Sequence, residues 1–399
     1  MADGDAITIK VIGAAGEIEA NAWNSLANPI SDSTYDFDYN PFLSHDFYNS
    51  LENSGSADRH TGWLPQHLIM EQNDAVIGIV PCYLKNHSQG EYVFDHGWAD
   101  AFERAGGSYY PKLQATVPFT PASGRRLLVG NGSQADRRRL MLAGGLQRVC
   151  EQLDVSSAHI TFMQEAEWTL LGENGFLRRN DQQFHWLNDG YESFDDFLAA
   201  LSSRKRKNIR KERQAALSGN GISIEWLTGD QLTEDIWDIF YSFYMDTGSR
   251  KWGRPYLTRK FYSLIGETMA DDIVLIMARR DGRYVAGAIN FIGSHTLFGR
   301  HWGCVEDHPF LHFEVCYYQA IDFAIEHKLQ RVEAGAQGGH KLARGYMPQI
   351  TYSAHYITHP DFRRAVEDYL EHERDAVVRE NEAITRHGPF KKGNQDDSL

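Results

Sequence analysis

The segment IVLIMARRDGRYVAGAI, residues 273–289, sets the reading of this chain. Two apolar runs, Ile273 to Met277 and Tyr284 to Ile289, flank Asp281-Gly282, a pair suited to the positive φ of a tight hairpin turn. The same unit stands in the first half: His67 to Met70, a polar turn at Gln72-Asn73-Asp74, then Ala75 to Val80. Each hairpin has the same sequel. In the first half Arg126 to Val129 reads as a strand. A helix follows with Leu142, Leu146, Val149, Cys150 and Leu153 on one face, then a strand at His159 to Phe162 and a short helix ending at Gly175-Phe176. In the second half Leu297 to Trp302 is the strand, and a helix is expected to open at Asp307-His308-Pro309, with proline in its first turn. Phe313, Cys316, Tyr317, Ala320, Ile321 and Ala324 recur at helical spacing, and Arg331 to Ala334 is the next strand. Hairpin, strand, helix, strand, twice over, predicts an α/β protein of two domains of one design, with mixed central sheets flanked by helices. The expected limits are 1–185, with an aromatic and glycine-rich insertion over 85–125, and 186–360, opening with a basic helix over 193–218. A charged helix and polar tail over 361–399 complete the chain.

The composition supports a folded protein. A hydrophobic fraction of 42%, 12% aromatic residues and 12 prolines among 399 residues exclude a disordered or collagen-like chain. Forty Lys and Arg against 54 Asp and Glu leave a formal charge of −14, which argues against indiscriminate coating of nucleic acid or an anionic membrane. Four widely spaced cysteines with no C-x-x-C pair read as reduced thiols, and the first twenty residues lack the pattern of a secretion signal. No apolar run approaches the roughly 18 residues that span a bilayer. A cytoplasmic protein is the expectation.

Positive charge is gathered in three places. Ser193, with Asp196 three positions on, resembles a capping box, and it leads into Arg204-Lys205-Arg206-Lys207-Asn208-Ile209-Arg210-Lys211-Glu212-Arg213. Cations on successive turns of a helix can grip phosphates, although a charge run is equally a solvated face. Asp246 to Tyr256 packs Arg250, Lys251, Trp252 and Arg254 around glycines. Glu333-Ala334-Gly335-Ala336-Gln337-Gly338-Gly339-His340-Lys341-Leu342-Ala343-Arg344-Gly345-Tyr346 begins at a strand end, where open α/β sheets place their ligand crevice. His295, His301, His308 and His312 crowd together, but no zinc motif or cysteine partner accompanies them. No metal is expected.

The strings HWLNDGYESFDDFLAALSSRKRKNIRKER (185–213), DTGSRKWGRPYLTR (246–259), HWGC (301–304), the run from Pro309 to Pro348 and TYSAHYI (351–357) resemble the bacterial Fem-like (FemAB-like) family. That family comprises GNAT-type N-acyltransferases and peptidoglycan biosynthesis or recognition proteins. The likeness extends from about Phe42 to Ile357. It implies tandem GNAT domains, in agreement with the internal repeat. Broader Fem relatives move an amino acid from aminoacyl-tRNA to an amine of a cell-wall precursor. Their basic motif corresponds to Arg204 through Ile209 and is associated with phosphates of a nucleotide-linked acceptor. This chain departs from the family in having Gly339 where an acid is usual. The acetyl-CoA cradle Q/R-x-x-G-x-G/A is also missing from both strand–helix junctions, Gly130 to Asp136 and Glu306 to Pro309.

The expected function is therefore N-acyl or aminoacyl transfer to an amine of a small or cell-wall-precursor-like acceptor, direct and without a covalent enzyme intermediate. Glu333 or Glu314 would be the base or amine-orienting acid. Arg204, Arg206, Lys207, Arg210, Lys251, Lys341 and Arg344 would hold anionic groups, Gln337 and His340 would supply further polar contacts, and Trp252, Trp302 and Tyr346 would wall the cleft. No tightly bound cofactor is expected, with acyl-CoA or aminoacyl-tRNA as co-substrate and a tRNA acceptor end as a possible partner. Two alternatives stay open: an acetyl-CoA-dependent N-acetyltransferase of a small amine, and a non-catalytic recognition module for cell-wall precursors.

Overall fold

The computed structural model describes residues 6–29, 38–218, 221–251, 255–335 and 338–391, with residues 249–251 described by backbone alone. Two compact units emerge. The first comprises Met1–Asp181, Tyr256–Ile265 and Ile350–Arg379; the second comprises Gln182–Pro255, Gly266–Gln349 and Glu380–Leu399.

In the first unit the strands β1 (Ile7–Ile12), β2 (His67–Gln72), β3 (Ala75–Val80) and β4 (Leu128–Val129) lie in that order, each antiparallel to its neighbour. The β2–β3 turn holds Asn73 and Asp74 at φ of 52° and 62°, as its sequence predicts. The helix Ala135–Leu153 sets Leu142, Leu146 and Cys150 against Leu68, Met70 and Val80. Tyr256–Ile265 belongs to this unit for local reasons. The Thr258 hydroxyl donates to the Ser54 carbonyl at 3.1 Å, its amide donates to Ser56 Oγ at 3.1 Å, and Phe261 meets Phe47 edge-on at 5.8 Å. The first half of the C-terminal helix Pro360–Arg386 buries Phe362, Val366 and Leu370 in a cluster with Trp98 and Tyr109. An apolar stripe, not charge, sets its place.

The second unit repeats the design. Its strands β5 (Ile222–Leu227), β6 (Ile273–Arg280), β7 (Arg283–Ile292) and β8 (Thr296–Cys304) form the same antiparallel order, and β8 pairs in parallel with β9 (Arg331–Glu333). Asp281 and Gly282 take φ of 48° and 78° in the β6–β7 turn. On one face Ile276, Ala286 and Ala288 pack against Val315, Tyr318 and Ile321. Full burial of Ile276 or Ile321 stabilises by about 1.5–3 kcal/mol each.

Two helices differ from expectation. The basic segment is two helices, Phe194–Ala200 and Ser203–Leu217. Ser193 caps the first by accepting from the Asp196 amide at 3.1 Å. The break follows because Leu201 turns extended, bridges Phe390, and leaves the Ser202 amide to donate to the Pro389 carbonyl at 3.0 Å. The helix expected at Asp307-His308-Pro309 begins instead at Leu311, because Phe310 holds φ of 64°, a conformation that cannot continue a right-handed helix. Residues Glu314–Tyr318 then form one wide π-turn before the α-helix Gln319–Glu326 resumes. Such turns displace side chains from regular helical spacing and often mark functional sites.

Candidate functional site

The second unit gathers the residues of interest around this π-turn. On β8, Gly303 faces the helix Glu234–Lys251 so closely that a Cβ would stand 2.1 Å from the Phe243 carbonyl oxygen, so only glycine fits. Side chains alternate along a strand, and the neighbouring Trp302 therefore points the other way. There it lines a cleft of about 470 Å³ with Phe310, His312, Phe313 and the polar residues Glu306 and Asp307. The Trp302 and His312 rings meet at 5.2 Å, and His312 continues to His340 at 6.4 Å.

His340 lies on the short helix Gly339–Leu342, which Gly338 leads into with φ of 117°. Its Nε2 shares a hydrogen bond with the Tyr317 hydroxyl at 3.0 Å. Partial burial, together with the Lys341 and Arg344 cations, holds the His340 pKa below its ordinary value, so the ring is neutral at pH 7. Lys341 is buried, its Nζ donating to the carbonyls of Ala334 at 2.6 Å and Gly335 at 3.0 Å just past β9, and burial pushes its pKa down to about 8. Glu333, at the end of β9, is buried and in register with His185 of the strand Leu177–Leu187.

Arg344 is also buried. It donates from Nη1 to the His340 carbonyl at 2.7 Å and from Nη2 to Glu212 Oε2 at 2.8 Å, while its guanidinium lies 3.4 Å over the Phe313 ring. Glu212 also accepts from the Tyr318 hydroxyl. Arg213, the next residue on the basic helix, donates from Nε and Nη2 to the two oxygens of Glu314 at 3.1 and 2.8 Å, and from Nη2 to Asp322 at 2.6 Å. Gln319 gives Glu314 a third hydrogen bond at 2.8 Å. Burial raises the Glu314 pKa even though Arg213 opposes it.

These contacts sort the expected site residues. Trp302 reaches His340 through the His312 ring, whereas Lys341 and Arg344, expected to hold anionic groups, are buried and donate within the protein, Lys341 to backbone carbonyls and Arg344 to Glu212 and the His340 carbonyl; Glu333 is buried at the end of β9. Glu314 is fully buried, and both its oxygens are committed to Arg213 and Gln319, which makes it a tie between the basic helix and the π-turn. Tyr346 does not wall a cleft: it has no exposed surface, and its hydroxyl donates to the Tyr317 carbonyl at 3.1 Å beneath the site. The basic helix is two-faced. Ile209, Glu212, Arg213 and Ala216 point into the unit, whereas Arg204, Lys207 and Arg210 are exposed and Arg206 is half-buried. Arg210 pairs with Asp195 at 2.9 Å on the surface, while Arg204, Arg206 and Lys207 have no ion partner among the described residues. The side chain of Lys251, and Trp252 and Gln337 altogether, lie outside the described residues. Among the described residues no cluster of His, Cys, Asp and Glu could hold a metal, and no helix is long and apolar enough to cross a membrane.

Over residues 14–392 the sequence matches the FemAB-like family, described as peptidoglycan biosynthesis/recognition. The chain belongs to this family. Its fold is shared with FemX, a structure 12% identical in sequence, at a TM-score of 0.51 over 78% of this chain and 92% of FemX. A tandem GNAT protein from the clavulanic acid biosynthesis pathway aligns over 89% of this chain and 99% of its own, at 12% identity and a TM-score of 0.48. L-PGS from Bacillus licheniformis aligns over 84% and 98%, at 9% identity and a TM-score of 0.49. No curated protein matches the sequence.

This FemAB-like chain also uses residues that sequence reasoning passed over. Glu212 and Arg213 looked like two more members of a charge run, yet they anchor it; the signal was Glu212, the single acid among the ten residues Arg204 to Arg213, seven of which are cations. Phe313 and Tyr317 fit a regular helical stripe, and only the π-turn shows that they flank His340. At Gly339 the position is exposed and an added Cβ would meet nothing within 4 Å.

Proposed function

We propose that the second unit carries a direct N-acyl or aminoacyl transfer site, acting on an amine of a cell-wall-precursor-like acceptor. The observation that carries this reading is the linkage of three features through one set of contacts: the cations Arg204, Arg206 and Lys207 of the basic helix, without an ion partner among the described residues, the Glu212–Arg344 and Arg213–Glu314 ties on its inner face, and the neutral His340 those ties adjoin. Arg204, Arg206 and Lys207 would hold phosphates of the acceptor or donor. The acyl group would enter beside Trp302 and His312.

The amine nitrogen attacks the acyl carbonyl carbon, His340 accepts the proton it sheds, the acyl C–O bond of the ester breaks, and the same proton passes to the departing alkoxide oxygen, leaving an amide and an alcohol. Tyr317 holds the imidazole in place. Orientation in such a cleft can lower the barrier by about 7–11 kcal/mol, which leaves no need for a nucleophilic side chain. Glu314 is assigned to positioning, because its oxygens are already taken. An ester donor such as aminoacyl-tRNA is preferred to acyl-CoA on grounds of backbone access. The junction where a CoA pyrophosphate would be cradled, Glu306-Asp307-His308-Pro309, has no glycine to let backbone amides approach a phosphate, and Pro309 has no amide hydrogen to donate.

Titration calorimetry with a nucleotide-linked peptide precursor tests the binding half of this reading. The Arg204→Ala/Lys207→Ala variant should bind the precursor at least tenfold more weakly than the parent. Equal affinity would remove the phosphate role.

A further inference from the structure

Within the first unit the aromatic and glycine-rich insertion builds a pocket. Its helix His96–Arg104 and the turn at Gly106-Gly107 make one wall, and the start of the helix Pro360–Arg386 makes the other, around about 830 Å³. Trp98, Phe102, Phe362 and Val366 line it. Phe94 and Tyr369 also line it and remain 55% and 51% exposed. The volume falls within the roughly 300–1,000 Å³ of small-molecule sites, and large aromatics left exposed around one cavity are uncommon in a surface without a ligand or partner.

The lining is held rigidly. Phe102 stacks on Phe362 at 4.4 Å, and Trp98 stands edge-on to the buried His355 at 4.9 Å, with the Arg179 guanidinium 4.9 Å over its ring. The charges around the pocket are matched internally. Arg179 donates from Nε and Nη2 to Glu373 at 2.9 and 2.8 Å and from Nη1 to the Phe94 carbonyl at 2.8 Å. Asp361 pairs with Arg364, and His359 Nδ1 accepts from the Phe362 amide at 3.3 Å. A charged ligand would find no partner for its charge against this lining and would give up hydration on entering it. An uncharged ring system would bury apolar surface at no such cost.

We infer that this pocket is a second binding site, for an uncharged, ring-bearing small molecule. It stands independently of the transfer reading.

Fluorescence titration of the full chain with the neutral probe N-phenyl-1-naphthylamine tests the inference. Saturable binding at one site is expected, at least tenfold tighter than for the anionic 1-anilinonaphthalene-8-sulfonate. Gly97→Trp fills the pocket from a position where an added Cβ meets nothing within 4 Å, and should weaken the neutral probe at least tenfold without lowering the melting temperature. Ala101→Trp, at an exposed lining position, should do the same. Non-saturating uptake, unchanged binding in both variants, preference for the anionic probe, or sedimentation showing that a second copy covers this face would each overturn it.

Discussion

At the scale of single residues, His340 and Glu314 show how environment divides roles between groups that sequence treats alike. Both are polar residues in an aromatic setting, yet one has a half-open ring kept neutral by partial burial and then by nearby cations, and the other is a buried carboxylate locked by three hydrogen bonds. His340→Gln should lower the transfer rate by about 100-fold or more while leaving acceptor affinity within threefold, a split that steady-state kinetics and calorimetry resolve. Because the His340 pKa lies below its ordinary value, activity governed by it should rise with pH through the acid range and level off before pH 7. A rate that instead falls across that range would contradict a neutral base. Arg213→Ala strands the Glu314 carboxylate, and should cost about 3 kcal/mol or more, read as a fall in melting temperature. Replacing both Arg213 and Glu314 by methionine should restore most of that loss. The place of His340 and Lys341 just past a strand end was legible in the sequence; the commitment of Glu314 was not, since its partner Arg213 lies 101 positions away.

At the scale of elements, the basic helix was recognisable and its two faces were not. Charge composition could not separate Arg213, tied inward, from Arg204 and Lys207, which face solvent, because the difference depends on which turn packs against Val315 and Tyr318. The outer cations predict a salt dependence. Removing Arg204 and Lys207 should flatten the slope of log affinity against log salt for a phosphate-bearing ligand, with little change in melting temperature, since neither residue has an ion partner to lose among the described residues. An unchanged slope would assign the helix to solvation. The π-turn was hidden for a related reason: the apolar spacing from Phe313 to Ala324 fits an ordinary helix, and the extra residue shows only in the hydrogen bonding. Phe310, at φ of 64°, delays the helix that Pro309 was expected to open.

At the scale of the whole molecule, the repeat read from Ile273–Ile289 and its counterpart at His67–Val80 carried through to two units with the same antiparallel order of four strands. Period-2 patterning and the turn residues made this legible. The assignment of Tyr256–Ile265 to the first unit was not, because it rests on Thr258 meeting Ser54 and Ser56, some two hundred positions earlier. Buried histidines predict an acid limit to stability. In the first unit His159 and His355 share a hydrogen bond between their Nδ1 atoms at 2.7 Å, and burial pushes the His159 pKa down to about 3 and that of His355 well below the ordinary value. The unfolded chain protonates these groups near pH 6.5, so it binds more protons than the folded state below that pH. Their penalty is absent above about pH 6.5 and grows as pH falls toward 3, reaching about 3 kcal/mol for His159 by pH 4. A His159→Gln/His355→Phe variant should therefore lose less stability than the parent between pH 6.5 and 4 in denaturant titrations. Parallel losses would contradict the buried, neutral pair.

The formal charge of −14 coexists with a row of cations on one helix, the feature expected of a protein that takes a particular phosphate-bearing substrate. Mass spectrometry of a nucleotide-linked peptide precursor, incubated with the purified chain and either aminoacyl-tRNA or acetyl-CoA, tests the transfer reading most directly. The account predicts that the precursor gains one aminoacyl mass with the tRNA donor and that His340→Gln abolishes the gain. A precursor that binds tightly yet gains no mass from either donor would contradict it.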